Sequence, residues 1–378
     1  MDFDKGRTIM TAPIAPITFQ KFSFQNVEIT NLPGFSTDTL DEACLAWNRS
    51  AAVLKSLSPE TSLGVAGTRT EWEEVLRNPV KETEFREFLT SHFKAYHLSY
   101  DGDSTGLFTG YFEPSIKASM VPSADFPYPV YGRPQNLVVI EDLGQFHSAL
   151  AGYRIAGTLQ EKTLRPYYSR RELSSGCLEG HHLEIAWVAN KIDLYFMHIQ
   201  GSGKLEFEDH WIRVGYDGTN GYPYTSIGKY MVAQGFLTPE NATMKGLKAW
   251  LQENPKKIDD ILNQNDSFVF FKNLGAKEGP LGRQGAVLTP KRSLAVDPRV
   301  IALGMPLWLS AESPCVSERP LQRFMVAQDV GGAIKGPIRG DFYWGTGDQA
   351  GSLAGDMKST GELYFLIPKT VEFKGFNR

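Results

Sequence analysis

Carboxylates at the edges of apolar runs are the strongest chemical signal in this chain, and three of them fall in its last hundred residues. Asp297 stands in Ser-Leu-Ala-Val-Asp-Pro-Arg, Asp329 in Val-Ala-Gln-Asp-Val-Gly-Gly and Asp341 in Ile-Arg-Gly-Asp-Phe-Tyr-Trp-Gly. Edges of this kind are where a rigid scaffold presents functional groups. An Asp beside Gly or Pro is also the usual turn residue, bonding its own backbone. Phe342, Tyr343 and Trp344 follow the last carboxylate directly. Flat apolar faces suit sugar rings, although aromatics in a strand also build cores. The residues alone point to carboxylate chemistry, with carbohydrate as a fitting substrate, and to nothing finer.

Other motifs lose their chemistry on inspection. Gln200-Gly-Ser-Gly-Lys204 resembles a phosphate loop, but His198 and Leu205 occupy the positions where that motif needs Gly and Ser or Thr. Gly345-Thr-Gly-Asp-Gln-Ala350 fits a loose dinucleotide fingerprint. It lacks a following helical pattern, because Leu353-Ala-Gly355 interrupts what comes next. Asp101-Gly-Asp103-Ser-Thr105-Gly106 begins like a calcium loop, yet its twelfth position is Phe112 instead of a bidentate Glu. It reads as a polar turn before a strand. His181-His182 is not a metal pair, and no HExxH occurs. Cys44, Cys177 and Cys315 are scattered and odd in number, which indicates plain thiols. No metal and no cofactor is implied.

The elements that must position the carboxylates change character along the chain. Asp38–Leu57 carries Leu40, Cys44, Trp47, Ala51 and Leu54 at helical spacing, and Thr68–Leu76 and Glu82–Phe93 read as two further helices. From Leu107 the pattern is of short strands between Gly, Pro and Asn turns: Leu107–Phe112, Leu183–Val188, Asp193–Gln200 and Trp211–Val214. A helical interlude covers Thr225–Gly235 and Asn241–Asn263, divided at Pro255. Strands resume at Ser267–Lys272, Pro306–Leu309, Arg323–Gln328 and Glu362–Ile367. Many short strands with few long helices indicate small barrels, not a βαβ sheet. Gly275–Pro280 is the best linker candidate.

Composition bounds the rest. A chain of 378 residues is expected to hold about two domains. Its 39 basic and 43 acidic residues leave a net charge of −4, against a nucleic-acid binder. Hydrophobic residues at 42% and charged residues at 22% argue against wholesale disorder. No transmembrane segment, leader or lipid-attachment cysteine is visible.

Taken in order, the carboxylate motifs carry a family resemblance. Asp297-Pro-Arg-Val-Ile-Ala-Leu-Gly-Met-Pro-Leu-Trp308, Gln328-Asp-Val-Gly-Gly-Ala-Ile-Lys-Gly336 and Gly340-Asp-Phe-Tyr-Trp-Gly345 resemble the three-Asp module, a double-psi β-barrel. Upstream, Phe108-Thr-Gly-Tyr-Phe-Glu-Pro114, Tyr128-Pro-Val-Tyr131, Met197-His-Ile-Gln-Gly-Ser-Gly203, Tyr216-Asp-Gly-Thr-Asn-Gly221 and Ser226-Ile-Gly-Lys229 resemble the rest of one family. It is the membrane-bound lytic murein transglycosylase A family. The resemblance implies a mainly β chain with a helical N-terminal segment. Residues 1–113 and 277–378 would form the double-psi β-barrel catalytic domain. Residues 114–276 would form an inserted second small β-barrel domain, with a groove for a glycan strand between the two.

The resemblance also implies a reaction: cleavage of the β-1,4 bond between N-acetylmuramic acid and N-acetylglucosamine, leaving a 1,6-anhydro end. Asp341 falls at the position of the single catalytic acid/base, with Asp329 to orient or tune it, and Asp297 reads as a structural turn. Asp341 must then bind its proton more tightly than an ordinary Asp, through burial beside Phe342, Tyr343 and Trp344 and repulsion from Asp329. Thr109, Tyr111, Gln200, Gly201, Ser202, Lys335 and Trp344 fall in the expected substrate contacts. The expected partners are peptidoglycan strands and other cell-wall enzymes, and the expected place is the periplasm, at the outer membrane. Two other readings stay open. An inverting hydrolase would draw a second carboxylate from Asp329, Asp348 or Glu113, roughly 6.5–9.5 Å away. A glycan-binding module would have the groove without turnover.

Overall fold

The computed structural model describes residues 17–150, 153–314, 319–373 and 375. The N-terminal residues read for a leader, and Cys315, lie outside these. The described chain divides into two compact units: Glu113–Lys277, and Pro16–Phe112 together with Glu278–Arg378. The second crossing, at Lys277 and Glu278, falls inside the Gly275–Pro280 run.

Unit two is built on a closed ring of strands. In order around the ring these are Gly106–Glu113, Arg339–Thr346, Ser293–Val296, Leu321–Val330, Pro306–Ala311 and Lys358–Pro368, which pairs back to the first. Ser293–Val296 runs parallel to Leu321–Val330 and antiparallel to Arg339–Thr346. Phe108, Leu294, Leu307, Phe324, Phe342 and Phe365 are among its fully buried side chains. Phe93–Tyr100 and Phe22–Val27 extend the sheet from the far end of Lys358–Pro368. The helix Asp41–Ser56 buries Ala43, Ala46, Trp47 and Leu54. It is tied to the barrel by Gln328 Nε2, which donates to the Ala46 carbonyl at 3.2 Å. The expected mainly β chain with a helical N-terminal segment is observed.

Unit one is a second β structure. Six strands lie in the order Val269–Gly275, Trp211–Thr219, Ser202–Glu206, Ser115–Ser119, Glu184–Val188 and Tyr128–Tyr131. A bridge between Gly132 and Phe271 joins the two ends of that order. Ile116, Val130, Val188, Met197, Leu205 and Phe271 fill the interior. The helices Ile227–Ala233, Met244–Glu253 and Ile258–Leu262 form a separate cluster around Met231 and Leu251.

Two local expectations are corrected. Asp193–Gln200 is not a strand but lies in the helix Lys191–Gln200, started by Asn190, whose side chain accepts from the Ile192 N–H, and ended by Gly201 at φ 75°. Its residues 192 and 194–198 are all buried, so no polar stripe marks the helical period. This also reverses the order of a phosphate loop: Gly201 to Lys204 lead from a helix into a strand. A helix does follow Gly345-Thr-Gly347, at Asp348–Asp356. What removes the dinucleotide reading is the strand before it, which belongs to the barrel and pairs antiparallel with Ser293–Val296.

Candidate active site

Strand alternation assembles the site. Along Gly106–Glu113, Thr109 and Tyr111 share one face, and Gly110 takes the other. Along Arg339–Thr346, Arg339, Asp341 and Tyr343 share a face, and Phe342 and Trp344 point oppositely. These two strands are neighbours in the ring. Thr109 Oγ1 donates to Asp341 Oδ1 at 2.6 Å, and the rings of Tyr111 and Tyr343 lie 5.2 Å apart.

Asp329 arrives from the other side of Ser293–Val296. Ala295 is the register partner of Asp341 on one flank and of Asp329 on the other. That second pairing depends on a register shift, since Leu294 pairs with Ala327 and the next residue with Asp329. A bulge of this kind re-aims a side chain. The skipped Gln328 is wholly buried instead, accepting from the Ser293 hydroxyl at 2.6 Å. The residue between the two carboxylates in the sheet is an alanine, which adds no bulky side chain there.

Asp329 is heavily hydrogen-bonded. Its Oδ1 accepts from the backbone N–H groups of Arg283 and Val330, both at 2.9 Å, and its Oδ2 from the Tyr111 hydroxyl at 3.1 Å. These donors favour the carboxylate, yet burial outweighs them and Asp341's charge adds to it, so the group is pushed up to about 6. Burial also raises Asp341, against the Thr109 hydrogen bond and the positive charge of Arg339. The expected repulsion is therefore felt at Asp329, and burial is what lifts Asp341. Tyr111 is held far above its ordinary value by burial and by both carboxylates, so its hydroxyl stays a donor.

The remaining expected residues separate. Asp297 is a buried turn residue: Arg299 grips it at 2.6 Å and the Gly336 N–H donates to it at 2.9 Å. Burial alone would raise Asp297, but these donors hold it below the ordinary value. Lys335 precedes Gly336 on that loop and is partly exposed. Trp344 is corrected: it is 6% exposed, faces away from Asp341 and packs on Phe342 at 4.8 Å, so its face is not offered to a sugar. Gln200, Gly201 and Ser202 belong to the other unit, at the end of the Lys191–Gln200 helix. Glu113 is removed as a second carboxylate, being fully buried with Arg213 Nε donating to both its oxygens at 3.0 Å. Residues missed from the sequence are Arg339 and Ala295, and the sequence marks Tyr343 only as an aromatic neighbour of Asp341. Arg339 and the facing of Tyr343 follow from counting two residues either way from Asp341 along its strand.

A family model described as the MltA specific insert domain matches residues 107–272, and a 3D domain model matches residues 292–367. The membrane-bound lytic murein transglycosylase A of Vibrio cholerae is 33% identical over 276 residues, covering 70% of this chain and 67% of its own. This chain belongs to the membrane-bound lytic murein transglycosylase A family. The resemblance extends over the whole fold. MltA from Neisseria gonorrhoeae superposes with a TM-score of 0.82 at 28% identity, covering 95% of this chain and 96% of that one. The MltA of Escherichia coli, solved with bound chitohexaose, gives a TM-score of 0.65 at 26% identity over 93% and 95%. Membership joins the two matched segments, insert and 3D domain, into one family pattern.

Proposed function

We propose that the chain is a lytic transglycosylase that cleaves the β-1,4 MurNAc–GlcNAc bond of peptidoglycan with Asp341 as the single acid/base. The observation that carries this is the placement of Asp341: partly exposed, raised by burial, and held at one oxygen by Thr109. A protonated Asp341 gives its proton to the glycosidic oxygen as the C1–O bond breaks. The muramoyl C6 hydroxyl closes on C1, and its proton returns to Asp341. No water is consumed, so one carboxyl serves where a hydrolase needs two.

Asp329, fixed by its three donors, holds Tyr111 and keeps the pocket polar beside Asp341. Thr109 and Tyr111 act first on the carboxyl groups they touch, and Lys335 on the loop of residues 331–338 reaches a sugar oxygen. Gln200, Gly201 and Ser202 supply further glycan contacts from residues 114–276, the inserted domain, while residues 1–113 and 277–378 form the double-psi catalytic domain. The Vibrio and Escherichia relatives carry "membrane-bound" in their names. This supports a place in the cell envelope, which we read as the periplasm at the outer membrane, with other cell-wall enzymes as neighbours. No helix among the described residues is long and apolar enough to cross a membrane.

Mass spectrometry of muropeptides released from purified sacculi tests the reading. Products one water lighter than hydrolysed muropeptides are expected, and Asp341→Asn should release none. Fully hydrated reducing ends would instead make the enzyme a hydrolase, with Asp329 as its second carboxyl. Binding without products from the wild type would make it a glycan-binding protein.

A further inference from the structure

Arg339 stands two residues before Asp341 on the same strand face, and its contacts run toward the site. Its Nη2 donates to Thr109 Oγ1 at 2.8 Å, and Thr109 Oγ1 lies 2.6 Å from Asp341 Oδ1. Its Nη1 donates to the Leu107 carbonyl at 3.2 Å and to that of Gly340. The guanidinium is thus pinned across two neighbouring strands. A guanidinium has donors only, and a threonine hydroxyl has one hydrogen. Arg339 therefore occupies a lone pair of Thr109 and leaves that hydrogen for Asp341.

We propose that Arg339 is a positioning residue for Asp341: it commits the Thr109 hydrogen to Oδ1 and so makes Oδ2 the oxygen that gives and takes the catalytic proton. The inference rests on the reading of Asp341 as acid/base. It has a second consequence, because Arg339 brings the positive charge that opposes burial at Asp341. The other groups around that carboxyl do not supply it. Thr109 and Tyr111 on the neighbouring strand and Tyr343 on its own are neutral, Asp329 is acidic, and Ser293–Val296 carries no titratable side chain. Asp348 and Asp356, on the helix packed behind the strand, are exposed and also acidic.

The test is the pH profile of anhydro-muropeptide release. Activity needs protonated Asp341 and falls as pH rises through its pKa. Removing a neighbouring positive charge raises that pKa, so Arg339→Gln should move the descending limb to higher pH, by roughly one unit. Arg339→Lys keeps the charge without the fork and should leave the limb in place at a lower maximal rate. Thr109→Val deletes the donor while nearly preserving shape, and its limb should also move up. A descending limb that stays at the wild-type pH in Arg339→Gln overturns the proposal. Should that variant fail to fold, an unmoved limb in Thr109→Val does the same. Asp341→Asn separates the two levels. If it is active, the acid/base reading falls and this inference with it. If it is inactive while the limb stays unmoved, only the role of Arg339 is lost.

Discussion

Asp329 binds its proton near pH 6 although three donors point at it, so its ionised form is a cost that the native structure carries. The sign follows from linkage. A carboxyl raised above its unfolded value of about 3.9 favours folding when protonated, and that contribution is lost as pH rises toward 6. At pH 7 the penalty is about 3 kcal/mol. Asp329→Asn should remove it, because Asn keeps an oxygen for the Arg283 and Val330 N–H groups, and the Tyr111 hydroxyl can turn to accept from the new amide. The expected outcome is a higher urea midpoint at pH 7, no gain at pH 4, and reduced release of anhydro products. An unchanged midpoint at pH 7 would mean that the carboxyl is ionised without strain. The carboxylates themselves were legible in sequence, since each lies at the edge of an apolar run with Gly or Pro within two residues. Their partners were not: the Arg283 N–H comes from a loop 46 residues from Asp329, and no spacing announces it.

Elements decide whether those side chains meet. Gly110 lies between Thr109 and Tyr111 and faces the packed side of the strand. A Cβ there would sit 2.7 Å from Trp344 Nε1 and 2.8 Å from the Ala354 Cα of the Asp348–Asp356 helix. Helix backbone cannot swing aside as a side chain can, so Gly110→Ala must push the strand outward. A loss of roughly 1–3 kcal/mol is expected from overpacking. Activity should fall further than stability explains, because Thr109 and Tyr111 move with the strand. Thermal unfolding and turnover, measured together at a temperature where the variant is fully folded, check this; normal turnover there would show that the strand adapts. Sequence patterning found four of the six ring strands and did not mark Arg339–Thr346, although turn residues flank it. It also missed Ser293–Val296, whose four residues are all buried and show no alternation. It also missed the helix Asp348–Asp356, since Ala350, Gly351 and Ala354 bury a face made of small residues, with Gly351 against Phe112. The bulge that turns Asp329 toward Ala295 has no sequence mark.

At the scale of the molecule, the barrel must be closed by segments far apart in the chain, with residues 114–276 between them. Strand Gly106–Glu113 pairs with Lys358–Pro368, and Asp38 binds Arg292 through both oxygens, at 2.6 and 2.7 Å. The Phe324 N–H also donates to Asp38, and the Asp38–Arg292 pair is almost fully buried. Burial depresses Arg323 most and the Arg292 charge adds to it, with Asp38 and Glu42 acting to restore it. Asp38 is therefore the paired carboxylate of Arg292 and one of two that offset the Arg323 charge. Burial alone would raise Asp38, but the Arg292 hydrogen bonds and charge hold it below its ordinary value. This contribution to stability is present above the unfolded pKa of about 3.9 and is lost as pH falls through the lower folded value. The site carboxylates have the opposite sign, so wild-type stability should peak on the acid side of neutrality, near about pH 5. Asp38→Asn should leave the buried Arg292 without its carboxylate and cost about 3–5 kcal/mol at pH 7. It should also flatten the decline below pH 4, while turnover per folded molecule stays close to wild type because Asp38 touches neither Asp341 nor Asp329. Urea midpoints from pH 3 to 8 for wild type and variant decide it, and an acid limb that persists unchanged in Asp38→Asn would place the acid sensitivity elsewhere, with Asp297 and its Arg299 contact the next pair to replace.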